Sequence, residues 1–233
     1  MGKRPIRFKI SRYRPGHVDP PRCQVFDLSL GPRATVLDAL EELRTRHDPA
    51  LLYRHSCHHS SCGTCACRIN GTERLACVTV VWDLGAEEVV LEPLAGFPRV
   101  GDLVVDMGPF YEQIPAGLTC LRESEWNRGA SAAAGLTRYE RFENCIECGA
   151  CVSACPVSQS PDGFIGPAGL AAISREIEKG AGPAEDLLAL ARGGRGVWLC
   201  ERAMHCSKVC ATEVYPARHI HKLRQRLEAE GES

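Results

Sequence analysis

The sequence predicts an α+β protein with an N-terminal β-grasp domain and a C-terminal all-α domain. Strand-like segments with one helix fill the first half, whereas helical segments separated by Gly and Pro fill the second half. The length of 233 residues suits two domains of roughly a hundred residues each. The formal charge of −1 gives no electrostatic reason to expect a nucleic-acid partner.

The first half begins with a predicted hairpin and a helix. Residues 6–13 and 23–30 alternate as strands do, and the Pro- and Gly-rich segment 14–21 is predicted as the turn between them. Thr35 followed by Asp38 is a helix-start pattern. The apolar face of that helix is predicted to consist of Val36, Leu37, Leu40 and Leu43.

A second hairpin is predicted to follow. It joins residues 64–69 to the segment ending at Cys77, with Asn70-Gly71 as its turn. Residues 87–92 are predicted to close the sheet. These elements make a small α+β roll of the β-grasp kind.

Proline marks the start of each predicted helix in the second half. Helices are expected over 166–178, 183–191 and 216–230, because proline is favoured in the first turn, where its missing N–H costs nothing. The predicted domains are therefore 1–107 and 136–233, joined by a linker over 108–135.

Fourteen cysteines are the most unusual feature of the composition. No long apolar run follows the first residues, and no stretch approaches the roughly 18 apolar residues that span a bilayer, so neither a signal peptide nor a transmembrane segment is expected. In the reducing compartment that this implies, clustered thiols are usually metal ligands rather than disulfides.

The first cysteine group predicts a plant-type [2Fe–2S] cluster. The pattern is C-x4-C-x2-C-x11-C, typical of a β-grasp plant-type ferredoxin domain. A zinc site usually has shorter spacings and a Rieske centre needs two histidine ligands, so both are weaker interpretations. His55, His58 and His59 are interpreted as exposed loop residues. The predicted ligands are Cys57, Cys62, Cys65 and Cys77.

The remaining groups predict a helical ferredoxin domain with two further clusters. The run 145–156 has the bacterial C-x2-C-x2-C-x3-C-P spacing, in which the fourth cysteine crosses to the other cluster. A matching run, 200–210, has Ala203 at the position of its second cysteine. The predicted ligands are Cys145, Cys148, Cys151 and Cys210 for a [4Fe–4S] cluster, and Cys155, Cys200 and Cys206 for a [3Fe–4S] cluster.

Three cysteines remain without a predicted metal. The preferred interpretation of Cys23, Cys67 and Cys120 is that they are small apolar packing residues. Cys67 lies two residues beyond Cys65, so it is also a possible competing ligand.

Nearly the whole chain resembles the iron–sulfur subunits of succinate dehydrogenase and fumarate reductase. Besides the cysteines, the resemblance rests on residues 93–94, 97–98, 102–106, 145–149, 164–170 and 206–210. It implies electron transfer from the FAD of a partner flavoprotein, through the [2Fe–2S], [4Fe–4S] and [3Fe–4S] clusters, to a quinone. It also implies membrane anchor subunits, location at the cytoplasmic face of the cell membrane, and no catalytic side chain in this chain.

The family's quinone pocket is matched less well. Gln159 stands where many members have tryptophan, and Glu201 stands where they have histidine; the pocket neighbours implied by the resemblance are Pro156, Gln159, Glu201 and Ala203. Glu201 is interpreted as a solvated carboxylate rather than a proton-handling group. Succinate oxidisers and fumarate reducers share the cluster ligands. Two alternatives are a subunit of another flavoprotein dehydrogenase complex and a free-standing ferredoxin-like carrier.

Overall fold

Residues 2–115, 118, 145–159, 163–180 and 184–231 are the part of the chain that the computed structural model describes. The chain divides into two compact units: Met1–Pro109 with Cys148–Ala154, and Phe110–Glu147 with Cys155–Ser233. Helix α2 (Gly108–Gln113) occupies the start of the predicted linker, whose residues 119–135 lie outside the described residues.

The first unit is built on a five-stranded sheet with the strand order β2-β1-β5-β3-β4. The predicted first hairpin is present, but its turn is shorter than the predicted 14–21, because β2 already begins at Val18. Pro20 and Pro21 lie within β2, which is tolerated because β2 is an edge strand. The strands are β1 (Arg4–Arg14), β2 (Val18–Leu30), β3 (Ala66–Ile69), β4 (Thr72–Leu75) and β5 (Glu88–Glu92).

Strand β5 lies in the centre of the sheet, which corrects the prediction that residues 87–92 close it. It pairs in parallel with β1 and antiparallel with β3, so it joins the two hairpins. Its Val89 and Leu91 are fully buried. The predicted hairpin turn at Asn70-Gly71 is confirmed, and the Asn70 side chain accepts a hydrogen bond from the Val90 N–H at 2.7 Å.

Helix α1 (Val36–Arg46) begins at the predicted capping residues. Thr35 Oγ1 accepts from the Asp38 N–H, and Asp38 accepts from the Thr35 N–H. All four predicted apolar-face residues are buried. The N–H of Leu37 also donates to the carbonyl of Ala76 at 3.0 Å, which ties the start of α1 to the residue before Cys77.

A small hairpin of β6 (Arg99–Gly101) and β7 (Val104–Val105) was not predicted. Its turn contains Asp102, which is fully buried. The Asp102 carboxylate accepts hydrogen bonds from the N–H groups of Tyr13 at 2.9 Å and Leu52 at 2.8 Å, and it lies 3.0 Å from Arg12 Nε. One carboxylate thus holds strand β1 and the segment around Leu52 to the β6–β7 hairpin.

The second unit is helical, as predicted. Helices α4 (Gly166–Lys179), α5 (Ala184–Arg192) and α7 (Pro216–Ala229) pack around a core that includes Leu170, Ile173, Leu188, Ile220 and Leu223. Short turns of helix at α3 (Ala150–Ser153) in the first unit and at α6 (His205–Lys208) in the second accompany the cysteine runs. In the described residues, no helix is long and apolar enough to cross a membrane.

Candidate metal centres

The loop that carries Cys57 and Cys62 is curled so that backbone N–H groups face sulfur. The N–H groups of Ser61 and Cys62 lie 3.3 and 3.4 Å from Cys57 Sγ. The curl requires positive φ at His58, Ser60 and Gly63. Such N–H groups stabilise the negative charge of a thiolate or of a cluster sulfur, as the loop's small residues suggest.

The other two cysteines of this group come from either side of the second hairpin. The Ala76 N–H donates to the Cys65 carbonyl at 3.2 Å, so Cys77 lies beside Cys65. Burial, together with the charges of Cys77 and Cys62, raises the pKa of Cys65 to about 12. Burial acts to raise the pKa of Cys62 as well, but hydrogen bonds with Thr64 and Cys57 lower it to about 6. With a pKa this high, the Cys65 thiol would ionise only beside a cation such as iron. The four thiols together fit a [2Fe–2S] cluster.

The spare cysteines of the described residues differ from each other. Cys67 is 3% exposed, and burial raises its pKa to about 12, so the interpretation as a packing residue holds for it. Cys23 is exposed on edge strand β2, and for it the packing interpretation is wrong. Cys120 lies outside the described residues. In the part of the chain that the structure describes, no cysteine forms a disulfide.

Cys148 and Cys151 belong to the first unit, where a buried hydrogen-bond network holds their turn. The Ser153 hydroxyl donates to Glu73 Oε1 at 2.8 Å and accepts from the Ala95 N–H at 2.8 Å. Glu73 lies on β4, between Cys65 and Cys77 in the sequence, and is 6% exposed. The α3 turn that carries Cys151 is therefore fixed to the hairpin that carries the first cysteine group.

Gly149 starts that turn in a backbone conformation that favours glycine. Its φ is +79°, and an added Cβ would lie 2.9 Å from the Met107 side chain and 3.4 Å from Leu94 and Phe97. The two remaining predicted ligands of the [4Fe–4S] cluster, Cys145 and Cys210, belong to the second unit. There the Val214 N–H donates to Cys210 Sγ at 3.2 Å, which again supports a thiolate.

Cys155, Cys200 and Cys206 line one cavity of about 320 Å³ in the second unit. Burial, together with the charges of Cys155 and Cys200, raises the pKa of Cys206 to about 11. Ala203 also lines this cavity. Three thiols and a methyl group around one space fit a cluster that has a thiolate for each of three irons and no ligand for a fourth.

The same cavity gathers most of the expected pocket neighbours. Pro156, Glu201 and Ala203 line it, whereas Gln159 does not. Glu201 is solvent-exposed, in line with the interpretation as a solvated carboxylate. Sequence reasoning missed that five basic residues also line the cavity: Arg202, His205, Arg218, His221 and Arg224. The three basic residues on α7 could have been found from the sequence, because Arg218, His221 and Arg224 recur every three residues along one helical face.

Two family models match the chain. The model for a 2Fe-2S iron-sulfur cluster binding domain matches residues 7–112, and the model for a 4Fe-4S dicluster domain matches residues 141–214. Each matched range contains the corresponding cysteine groups.

Curated relatives match over almost the full chain. The fumarate reductase iron-sulfur subunit of Haemophilus influenzae is 30% identical over 95% of this chain and 93% of its own length. The succinate dehydrogenase iron-sulfur subunit of Coxiella burnetii is 35% identical over 98% and 99%. A chain of the Mycobacterium smegmatis Sdh1 complex in the apo form shares the fold, with a TM-score of 0.82, 24% identity, and coverage of 98% of this chain and 97% of that one.

Proposed function

Because the chain belongs to the family of succinate dehydrogenase and fumarate reductase iron–sulfur subunits, we propose that it relays electrons between the FAD of a flavoprotein subunit and a quinone. Its class, an electron-transfer subunit of such a complex, follows from the family and the two cluster-binding domains. The observation that most supports the finer proposal is the cavity that brings Cys155, Cys200 and Cys206 together with Ala203.

Eleven cysteines would hold the three clusters: Cys57, Cys62, Cys65 and Cys77 the [2Fe–2S], Cys145, Cys148, Cys151 and Cys210 the [4Fe–4S], and Cys155, Cys200 and Cys206 the [3Fe–4S]. Bound clusters of these kinds take up and release single electrons without a nucleophile or general base. The protein's own contribution is to bury the thiols and to direct backbone N–H groups at them, as at Cys57 and Cys210. Both features would keep each thiolate in position while the charge of the bound cluster changes by one electron.

Other residues that line the cavity of the third cysteine group would contribute to the quinone end. Its wall combines apolar side chains such as Phe164 and Ile220 with the imidazole of His221 and the guanidinium of Arg218. A quinone ring needs an apolar surface, and its carbonyl oxygens need hydrogen-bond donors. The residue after Cys200 is Glu201, so in this chain such donors would come from α7 rather than from a histidine at that position.

The flavoprotein, the membrane anchor subunits and the cytoplasmic face of the membrane are part of the same proposal. They are supported by relatives that are named as subunits of fumarate reductase and succinate dehydrogenase. The dicarboxylate chemistry would then occur on the flavoprotein.

The proposal is tested by co-expressing the chain with a flavoprotein subunit of a succinate dehydrogenase or fumarate reductase and purifying the pair without oxygen. We expect the two subunits to co-purify stoichiometrically. We also expect succinate to reduce the clusters, which low-temperature EPR would detect. Cys206→Ser should remove the three-iron signal, whereas Cys23→Ser, at an exposed and unassigned cysteine, should leave all signals intact. Clusters that remain oxidised beside an active, FAD-loaded flavoprotein would contradict the proposal and favour another dehydrogenase partner or a free carrier.

A further inference from the structure

A cluster of potential metal ligands that are not cysteines lies beside the first cysteine group. Its three members are Glu41 on α1 and two loop histidines, His55 and His58. Their facing atoms are Glu41 Oε1, His55 Nδ1 and His58 Nε2. We propose that these three atoms bind a divalent transition-metal ion of the zinc type, separate from the clusters and independent of the proposed electron relay.

The distances between the three atoms suit a shared ion. His55 Nδ1 lies 3.1 Å from His58 Nε2, and Glu41 Oε1 lies 3.8 Å from the first and 3.6 Å from the second. In the plane of the three atoms, the point equidistant from them lies about 2.0 Å from each. This distance matches Zn–N bonds of about 2.0–2.1 Å and Zn–O bonds of about 2.0–2.2 Å.

The same distances do not suit hydrogen bonds from the imidazoles to the carboxylate. Protein N–H···O bonds rarely exceed about 3.2 Å, and both contacts of Glu41 Oε1 are longer. The 3.1 Å contact between the two ring nitrogens has the length of a hydrogen bond, but it leaves Glu41 Oε1 beyond hydrogen-bonding distance of both rings. An ion between the three atoms satisfies all of them at once.

Neighbouring residues hold the ligands in position. The His55 ring stacks on Tyr53 with centroids 5.4 Å apart, and the Arg44 guanidinium lies 5.7 Å from the centroid of Tyr53. The two imidazoles meet edge to face at an interplanar angle of 85°. His58 has a φ of +62°, a conformation in which histidine is several-fold enriched. Rings at right angles can each direct a lone pair at one point between them.

The donor set indicates which ions would bind. Two imidazoles and one carboxylate favour zinc and its neighbours over magnesium and calcium, which prefer oxygen ligands. Three protein ligands leave one tetrahedral position for water or another small ligand. His55 and His58 are partly exposed, with side-chain exposures of 34% and 47%, so the ion can enter from solvent.

The test is isothermal titration of the cluster-loaded full chain with Zn²⁺, in parallel with Mg²⁺. We expect one saturable zinc site and no response to Mg²⁺. Glu41→Gln and His58→Asn should each weaken zinc binding by at least about tenfold. His59→Asn is the matched control, because His59 is an exposed neighbour outside the triad, and it should bind zinc as the parent does.

Asparagine is chosen at position 58 because it tolerates positive φ, and Glu41→Gln lies outside the cluster loop. Visible absorption before each titration verifies that every variant retains its clusters. Absence of a stoichiometric zinc site in the parent, or equal weakening by His59→Asn and His58→Asn, would overturn the proposal. So would Mg²⁺ binding at the same strength, because it would indicate a nonspecific acidic surface.

Discussion

Replacing Ser153 by alanine tests whether the buried hydrogen bonds of the first unit hold the second cysteine group in place. The change removes the donor to Glu73 Oε1 and the acceptor of the Ala95 N–H, both at 2.8 Å. Ser153 is 3% exposed and Glu73 6% exposed, so water cannot readily replace the lost partner. Leaving a buried carboxylate and a partly buried N–H short of a partner costs about 2–3 kcal/mol.

For a chain of this length, a loss of this size lowers the midpoint of thermal unfolding by about 4–12 °C. We expect this shift for Ser153→Ala in the cluster-loaded chain, measured without oxygen by visible circular dichroism of the clusters. Ser29→Ala, on the exposed face of edge strand β2, should change the midpoint by less than about 2 °C. Equal midpoints for the parent and Ser153→Ala would show that the network does not stabilise the unit, and the reasoning would fail.

Three further changes address the second unit. Ala203→Cys supplies a fourth thiol to the cavity, so the EPR signal of the oxidised three-iron cluster should disappear; its persistence with full iron content would contradict the cluster assignment. Gly196→Ala places a Cβ 1.9 Å from the Ala191 carbonyl oxygen, which displaces the backbone before Cys200 at a cost of about 3 kcal/mol. This variant should lose most of the EPR signal of the three-iron cluster. Gly194→Ala, whose Cβ has no heavy atom within 4 Å, should retain the signal. Burial lowers the pKa of His219 to about 4, below the unfolded value of about 6.5. The free energy of unfolding is therefore unaffected by this shift above pH 6.5, and it decreases as the pH falls towards 4, by roughly 3 kcal/mol in total. His219→Gln should therefore flatten the dependence of the unfolding midpoint on pH between those values, and unchanged slopes would refute the assignment.

Patterns that depend on neighbouring residues were read correctly from the sequence. The capping residues Thr35 and Asp38, the Asn70-Gly71 turn and the helices that start near Pro167 and Pro216 are confirmed. Each depends on local geometry: a side chain that reaches the next N–H groups, a turn with positive φ, or a ring that fixes φ. The assignment of particular cysteines to each cluster, which rests on their spacing, stays a prediction.

Pairings between distant segments were not predictable in the same way. Nothing in residues 87–92 indicates that β5 lies in the middle of the sheet rather than at its edge, because both positions allow its short apolar run. The burial of Asp102 arises from contacts with Tyr13 and Leu52, which lie 89 and 50 residues away. The triad of Glu41, His55 and His58 also forms only when helix α1 and the cluster loop are brought together.

The central position of β5 determines when the first unit can be completed during synthesis. All four cysteines of the first group, and both hairpins, leave the ribosome before Glu88–Glu92 does. Until that strand arrives, the inner edges of β1 and β3 have no partner, and the hairpins can separate. A nascent chain paused before residue 88 would thus expose two unpaired strand edges next to four reactive thiols, so iron delivery is expected to follow the emergence of β5.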